Sequence, residues 1–479
     1  MSFIRRIAPL ATCVAVLTPL FAATPAPVSS GADTLARLSA HAMQDGYAYE
    51  RLTDLTDLIG PRLSGSAGAA AAVEQVAAQL RALGARVTLQ PVKVPHWVRG
   101  EEKADIADYA GKPAGVFRPV ALTALGGSGA TPEAGITAPV MVVHSLEAFN
   151  ARASEAKGKI VVFDVAFDQG MAEAGRAFNA YGESVRIRSA GPIAAAKAGA
   201  VAALVRSIGG ADYRLVHTGA TSLGRNGNPV IPAAALAAED AMLLSRLSQR
   251  GEVKLHLTLT PKNLPDTDSF NVIADLPGSD KPEEIVIVSG HLDSWDLAQG
   301  AIDDGAGVAA SMGVIKVIKD LGLTPRRTIR FVAWMNEENG LRGGTAYADA
   351  YRASAGKHVA AIETDGGVGR PLGLITDIAR SDLPKLADLR PALRMMGAPV
   401  VEWRANACGS DLGPIGEAGV PCFEPMVDSR NYFDYHHTPA DTLDKVNPDD
   451  LSKQVGLLAI TAWYLANMDG RIVPREGDH

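Results

Sequence analysis

The sequence predicts an α/β protein with a mixed, largely parallel central sheet flanked by helices, interrupted by a smaller α/β insert. Three observations predict this. Residues 285–288, 328–335 and 359–362 are continuous apolar runs of the kind found in parallel strands covered on both faces. Helical periodicity fills residues 308–321, between the first two runs. Between about residues 113 and 261 the pattern changes to short β-rich runs alternating with alanine-rich helix.

Taken in order, the chain opens with Arg5 and Arg6 ahead of an apolar run at residues 7–23, then small residues and prolines. This reads as a secretory signal peptide over residues 1–26, so the mature protein is expected to be periplasmic or secreted. Pro9 and Pro19 interrupt the run, which is short for a bilayer span, so no stable membrane anchor is expected after cleavage. Thr12 before Cys13 and the apolar run after it argue against a lipoprotein box. Residues 34–83 are helical with a break at Gly60 and Pro61, and residues 59–66, IGPRLSGS, read as the loop between two helices. Residues 87–94 alternate as a strand. Strands at 138–143, 159–163 and 201–205 and a helix at 193–198 make up the insert, which contributes no clustered histidines or acids. The expected division is an N-terminal part of the main domain at 27–114, the insert at 115–262 and the C-terminal part of the main domain at 263–479.

The length of 479 residues suffices for two to three domains or one large domain with an insertion. A net charge of −7 and the absence of any Lys/Arg run argue against nucleic acid or an anionic membrane as partner. A small neutral or cationic substrate fits better. Cys408 and Cys422 remain after the leader, separated by a glycine- and proline-rich segment that can bend back on itself. A disulfide and two buried free thiols are both open, and neither cysteine has the surroundings of a nucleophile.

The chemistry concentrates between Gly290 and Thr438. The first apolar run ends at SGHLD, the second at NEE and the third at ETDGG, and ligands in open α/β sheets bind beyond the carboxyl ends of strands. His291 and Asp293 are two apart in an extended segment, so His291 can ligate while Asp293 accepts its other ring N–H. Asp303 and Asp304 precede a helix, one suited to a bridging metal ligand and the other to the helix cap. Glu337 and Glu338 are adjacent acids at an apolar strand end, a costly placement unless a cation compensates them. Glu338 is expected as ligand and Glu337 as general base. Asp365 and the pair His436 and His437 complete the set. Each motif alone also fits a polar strand end, a cap or a turn, whereas the ordered series of His, Asp, Glu-Glu, Asp and His is hard to assign to accident.

GHLDSWDLAQGAIDDGAG, RTIRFVAWMNEENGLRGG, ETDGG and NYFDYHHTPADTLDKV together resemble the co-catalytic zinc exopeptidases of metallopeptidase family 28. IGPRLSGS precedes them, and KGKIVVF and GPIAAAKAGAVAALVRS resemble the protease-associated insert of such enzymes. The resemblance implies the zinc exopeptidase fold and two zinc ions per chain. His291 and Asp365 would complete one site, Glu338 and His437 the other, and Asp303 would bridge them. It further implies that Glu337 takes a proton from the attacking water, that small peptides or dipeptides are the substrates, and that the enzyme is a homodimer.

Many members have tyrosine before the last histidine ligand, where this chain has His436, as one branch of the family does. His436 is then an oxyanion donor, or the ligand itself with His437 displaced; the following Thr438 favours His437. Arg430 and Tyr432 are candidates for a substrate carboxylate, and Ser410 and Asp411 for a substrate terminus. Trp295 is a pocket wall or core. The alternatives are an aminopeptidase of the same family, a single-zinc acyltransferase of the glutaminyl-cyclase type, and a non-catalytic binding protein, which normally goes with lost ligands.

Overall fold

The computed structural model describes residues 31–210, 213–405 and 407–474; the expected leader lies outside them. Two sheets organise the described chain. Their strands, in chain order, are β1 (Arg86–Val98), β2 (Glu102–Tyr109), β3 (Leu122–Ala124), β4 (Ile136–Val143), β5 (Ile160–Phe163), β6 (Ala202–Arg206), β7 (Ala233–Leu236), β8 (Val253–Leu259), β9 (Lys262–Leu276), β10 (Lys281–His291), β11 (Arg327–Trp334), β12 (His358–Glu363), β13 (Pro371–Thr376), β14 (Val400–Trp403) and β15 (Cys422–Val427).

The eight-stranded sheet runs β1-β9-β11-β10-β12-β15-β13-β14. Its centre is parallel: β10 pairs with β11 and β12, and β12 with β15, all in parallel. Antiparallel β1–β9 and β9–β11 ladders extend one side, so the sheet is mixed with a parallel core. The three continuous apolar runs are β10, β11 and β12, and every residue of β11 and β12 is buried. Two helices cover one face, Ala306–Asp320 and Pro448–Asn467, and both are buried almost all round. They approach closely because residue 313 is glycine; a Cβ there would stand 2.9 Å from Val455. Asn447 caps the second helix by accepting from the N–H groups of Asp449 and Asp450, and Pro448 occupies its first turn. On the opposite face Trp334, Tyr347 and Leu412 form a separate cluster.

The seven-stranded sheet runs β2-β8-β4-β5-β6-β7-β3. The chain leaves the large sheet after Val98 and re-enters at Lys262, and these two residues are partners in the β1–β9 ladder. The smaller sheet therefore begins with β2, upstream of the change in composition near residue 115. The alternation of β2 carries no mark of which sheet it joins. The helix expected at 193–198 is the last turns of a longer one, Ala177–Lys197, which runs through Gly191 and Pro192. Packing overrides the Gly-Pro signal, since Gly191 lies against the Phe163 ring of β5. Cys408 and Cys422 form a disulfide, tying the loop after β14 to the start of β15. Among the described residues no helix is long and apolar enough to cross a membrane.

Candidate metal centre

Parallel register brings the ends of β10, β11 and β12 to one edge: His291 is opposite Trp334, and Ser289 opposite Glu363. The polar residues that follow these ends converge there. His291 Nε2 lies 3.1 Å from Asp303 Oδ1 and 3.4 Å from Asp365 Oδ1. On the other side of Asp303, its Oδ2 is 3.2 Å from His437 Nε2, which is also 3.0 Å from Glu338 Oε2. Asp303 thus stands between two donor groups. His436 Nε2 is 3.5 Å from Asp303 Oδ2 and its ring stacks on His437 at 3.6 Å, but among the two only His437 is paired with Glu338. Glu337 and Ser410 line the same cavity of about 450 Å³.

The surrounding chain fixes these side chains. His291 Nδ1 faces the main-chain carbonyl of Asp293 at 2.9 Å; a carbonyl only accepts, so Nδ1 carries the proton and Nε2 is left with its lone pair. His437 is held in the same way by the carbonyl of Thr218 at 3.3 Å, a residue of the smaller unit. Asp304 accepts from Gly307 N and His291 N, which joins the helix start to the strand end. That is the capping role expected for it.

The role expected for the Asp293 carboxylate is corrected. It does not receive the His291 ring N–H, because the backbone turns so that the carbonyl does; instead it accepts from Asn336 N, Glu337 N and the Ser64 hydroxyl. It therefore shapes the turn that presents Glu337 and Glu338. Glu338 Oε1 in turn accepts from Trp295 N, and Trp295 packs edge-on to His437 as a buried wall.

Two further expectations fail. Arg430 is exposed, bound to Asp428 two residues away, and lines a different cavity from Glu337. Asp411 is fully buried, with Oδ1 accepting from Gly344 N, and does not reach the cavity. Tyr432 does line the cavity, as a largely buried ring stacked on Phe178.

Several contributors carry no chemical signature in the sequence. Arg62, from the loop IGPRLSGS, is fully buried and donates to the carbonyls of Gly60, Leu292, Gln299 and Gly300. Asp441 accepts from Ala301 N and Ile302 N and so holds the segment that carries Asp303. Arg188 and Arg225 reach the cavity from the smaller unit. IGPRLSGS reads as an ordinary loop, and nothing local marks Arg62, Asp441 or the two arginines of the smaller unit.

The donor set fits divalent cations. Asp303 Oδ2 is buried and accepts no hydrogen bond, so a lone pair is free to face a cation between the two histidines. Burial, reinforced by neighbouring carboxylates including Asp303 and opposed by nearby imidazoles, leaves Glu337 raised to about 7 and Glu338 to about 8. Imidazole and carboxylate donors without thiolate suit zinc. A nucleophilic side chain is not needed for such a centre; two cations and a carboxylate base suffice for hydrolysis.

This fold and site define a metal-dependent hydrolase, and comparison with known proteins agrees. The Peptidase family M28 model matches residues 271–461. Carboxypeptidase Q of Mus musculus is 37% identical over 450 residues, covering 93% of this chain and 91% of that protein. The crystal structure of a Peptidase M28 precursor from Shewanella amazonensis superposes with a TM-score of 0.87 at 37% identity, covering 93% of this chain and 99% of the other. A zinc aminopeptidase from Bacillus subtilis, 22% identical, shares the fold with a TM-score of 0.62 over 88% of this chain and 95% of its own. The chain belongs to peptidase family M28, and it is a metallopeptidase.

Proposed function

We propose that the chain is an exported exopeptidase with two zinc ions, splitting dipeptides and other short peptides. The observation that carries this reading is the position of Asp303, one oxygen toward His291 and the other toward His437. His291 and Asp365 would hold one ion, Glu338 and His437 the other, with Asp303 shared. When bound, the ions supply Lewis-acid polarisation of the scissile carbonyl and a more acidic attacking water.

The protein side of the reaction follows from the surrounding residues. Asp293 holds the Glu337 main chain, so the Glu337 carboxylate is presented to the cavity to take a proton from the water and deliver it to the leaving amine nitrogen. His436 lies beside the pair as a donor for the developing oxyanion. Arg188 donates to Thr218 O and Arg225 to Asn339 O, and neither meets an acidic partner among the described residues. A guanidinium without a carboxylate partner suits the free C-terminal carboxylate of a short peptide. The B. subtilis zinc aminopeptidase keeps removal of an N-terminal residue as the competing specificity.

The test is metal content and specificity of the purified mature enzyme. Two zinc ions per chain are expected, with a free dipeptide hydrolysed and its C-terminal amide at least about tenfold slower in kcat/KM. A single zinc together with cyclisation of N-terminal glutamine would point to the acyltransferase alternative. Equal rates on amidated peptides would point to an aminopeptidase.

A further inference from the structure

A second cavity, of about 640 Å³, adjoins the metal centre and shares Asp365 and Ser410 with it. Its floor is one face of the sheet edge. Glu424 of β15 pairs with Ile375 of β13, which pairs with Glu402 of β14, so the three side chains form a row across the strands. Leu372, Ile375, Met426 and Phe178 supply apolar wall around that row.

The acids of this cavity differ in how they are satisfied. Glu363 accepts from the N–H groups of Asp411 and Leu412. Glu402 is paired with Arg404 at 2.9 Å. Glu424 is half-buried on the floor with no hydrogen bond or ion pair to a described residue; burial raises its carboxyl, and the more distant Arg404 only partly opposes this. A carboxylate left without a direct partner at the base of a partly apolar cavity is costly unless something brought from outside compensates it.

Resting on the dipeptidase reading above, we propose that this cavity is a subsite for a basic side chain, with Glu424 as the residue that selects it. A lysine or arginine side chain matches both halves of the cavity: its aliphatic stem against Leu372, Ile375 and Met426, its cationic head at Glu424. With the substrate carboxylate toward Arg188 and Arg225, the cavity on the Asp365 side receives the side chain of the first residue. Arg176 stands on the rim; Arg404, held by Glu402, opposes the effect of burial on Glu424 only from a distance and forms no ion pair with it.

The experiment compares Lys-Ala with norleucyl-Ala, which has a similar stem and no charge, on the zinc-loaded mature enzyme. Lysine is expected to be preferred by about tenfold or more in kcat/KM, as a charge-assisted hydrogen bond in a sheltered site would give. In Glu424→Gln the ratio is expected to fall to about twofold or less, and in Glu424→Lys to reverse. Calorimetric titration of the same holoenzymes with free lysine and free norleucine reads the subsite without turnover. A ratio near one in the wild type, or a ratio that survives Glu424→Gln, overturns the proposal. Selective lysine binding through Glu424 in an enzyme that cleaves neither dipeptide leaves the subsite standing and breaks the dipeptidase reading instead.

Discussion

Two buried carboxylate systems sit on the same large sheet and are compensated in opposite ways. Asp275, in β9, lies directly between Arg330 of β11 and Arg86 of β1 in the strand register. Arg330 grips both of its oxygens, at 2.7 and 3.0 Å, and Arg86 adds a third contact at 3.0 Å. Arg330 continues to the Tyr347 hydroxyl, which meets His358 Nε2. Every charge there has a fixed partner supplied by the chain. At the strand ends, the only ionisable partners of Asp303, Glu338 and Asp365 are imidazoles, and no lysine or arginine pairs with them among the described residues. The contrast separates a structural acid from a functional one: the first is neutralised by the fold, the second is left for something the fold does not contain.

The largest expected effect tests the second half of that contrast. Asp303→Asn removes the carboxylate shared by both donor groups, so loss of bound metal and a fall in kcat/KM of about 10³-fold or more are expected. Metal analysis and steady-state dipeptide hydrolysis on the same preparation check both. An Asp303→Asn enzyme that keeps two ions would remove the bridging assignment. Glu337→Gln comes next: kcat is expected to drop about 10²- to 10⁴-fold with metal content retained, because the base is lost and the ligands are not. If its rate stays near that of the wild type, the proton is carried by another group.

The strand ends were legible in the sequence for a physical reason. Strands covered on both faces must be continuously apolar, so SGHLD, NEE and ETDGG stand out as the abrupt polar ends of β10, β11 and β12. The ordered set from His291 to His437 then converges on Asp303, because parallel strands finish at one edge. What was not legible depends on contacts made at a distance or on backbone direction. Thr218 holds His437 across 219 positions of sequence, and nothing around Thr218 advertises it. Asp293 has the right residue type and spacing for a histidine partner, yet its carbonyl takes that role and its carboxylate is committed to the Glu337 turn. Arg430 sits beside the site in sequence and is captured by Asp428 before it can reach it. Residue type marks where chemistry is available; the main-chain turn decides which atom delivers it.

The smallest expected effect tests the structural acid. Asp275→Asn leaves Arg330 buried without its counter-charge and is expected to destabilise the fold by about 3 kcal/mol at neutral pH, while metal content and kcat/KM stay near wild-type values. Its pH dependence has a definite sign. Burial raises the Asp275 carboxyl, but Arg330 and Arg86 more than reverse this and hold it below its ordinary value. A depressed pKa contributes stability that is fully present above the unfolded value of about 3.9, and that is lost as the pH falls through the folded value. Urea unfolding of wild type and variant in chelator, so that metal release plays no part, is therefore expected to show a constant gap from pH 5 to pH 8 that narrows below about pH 4. A gap that does not narrow, or a variant that loses metal at neutral pH, would mean that Asp275 and the strand-end acids are not energetically separate and that the sheet couples them.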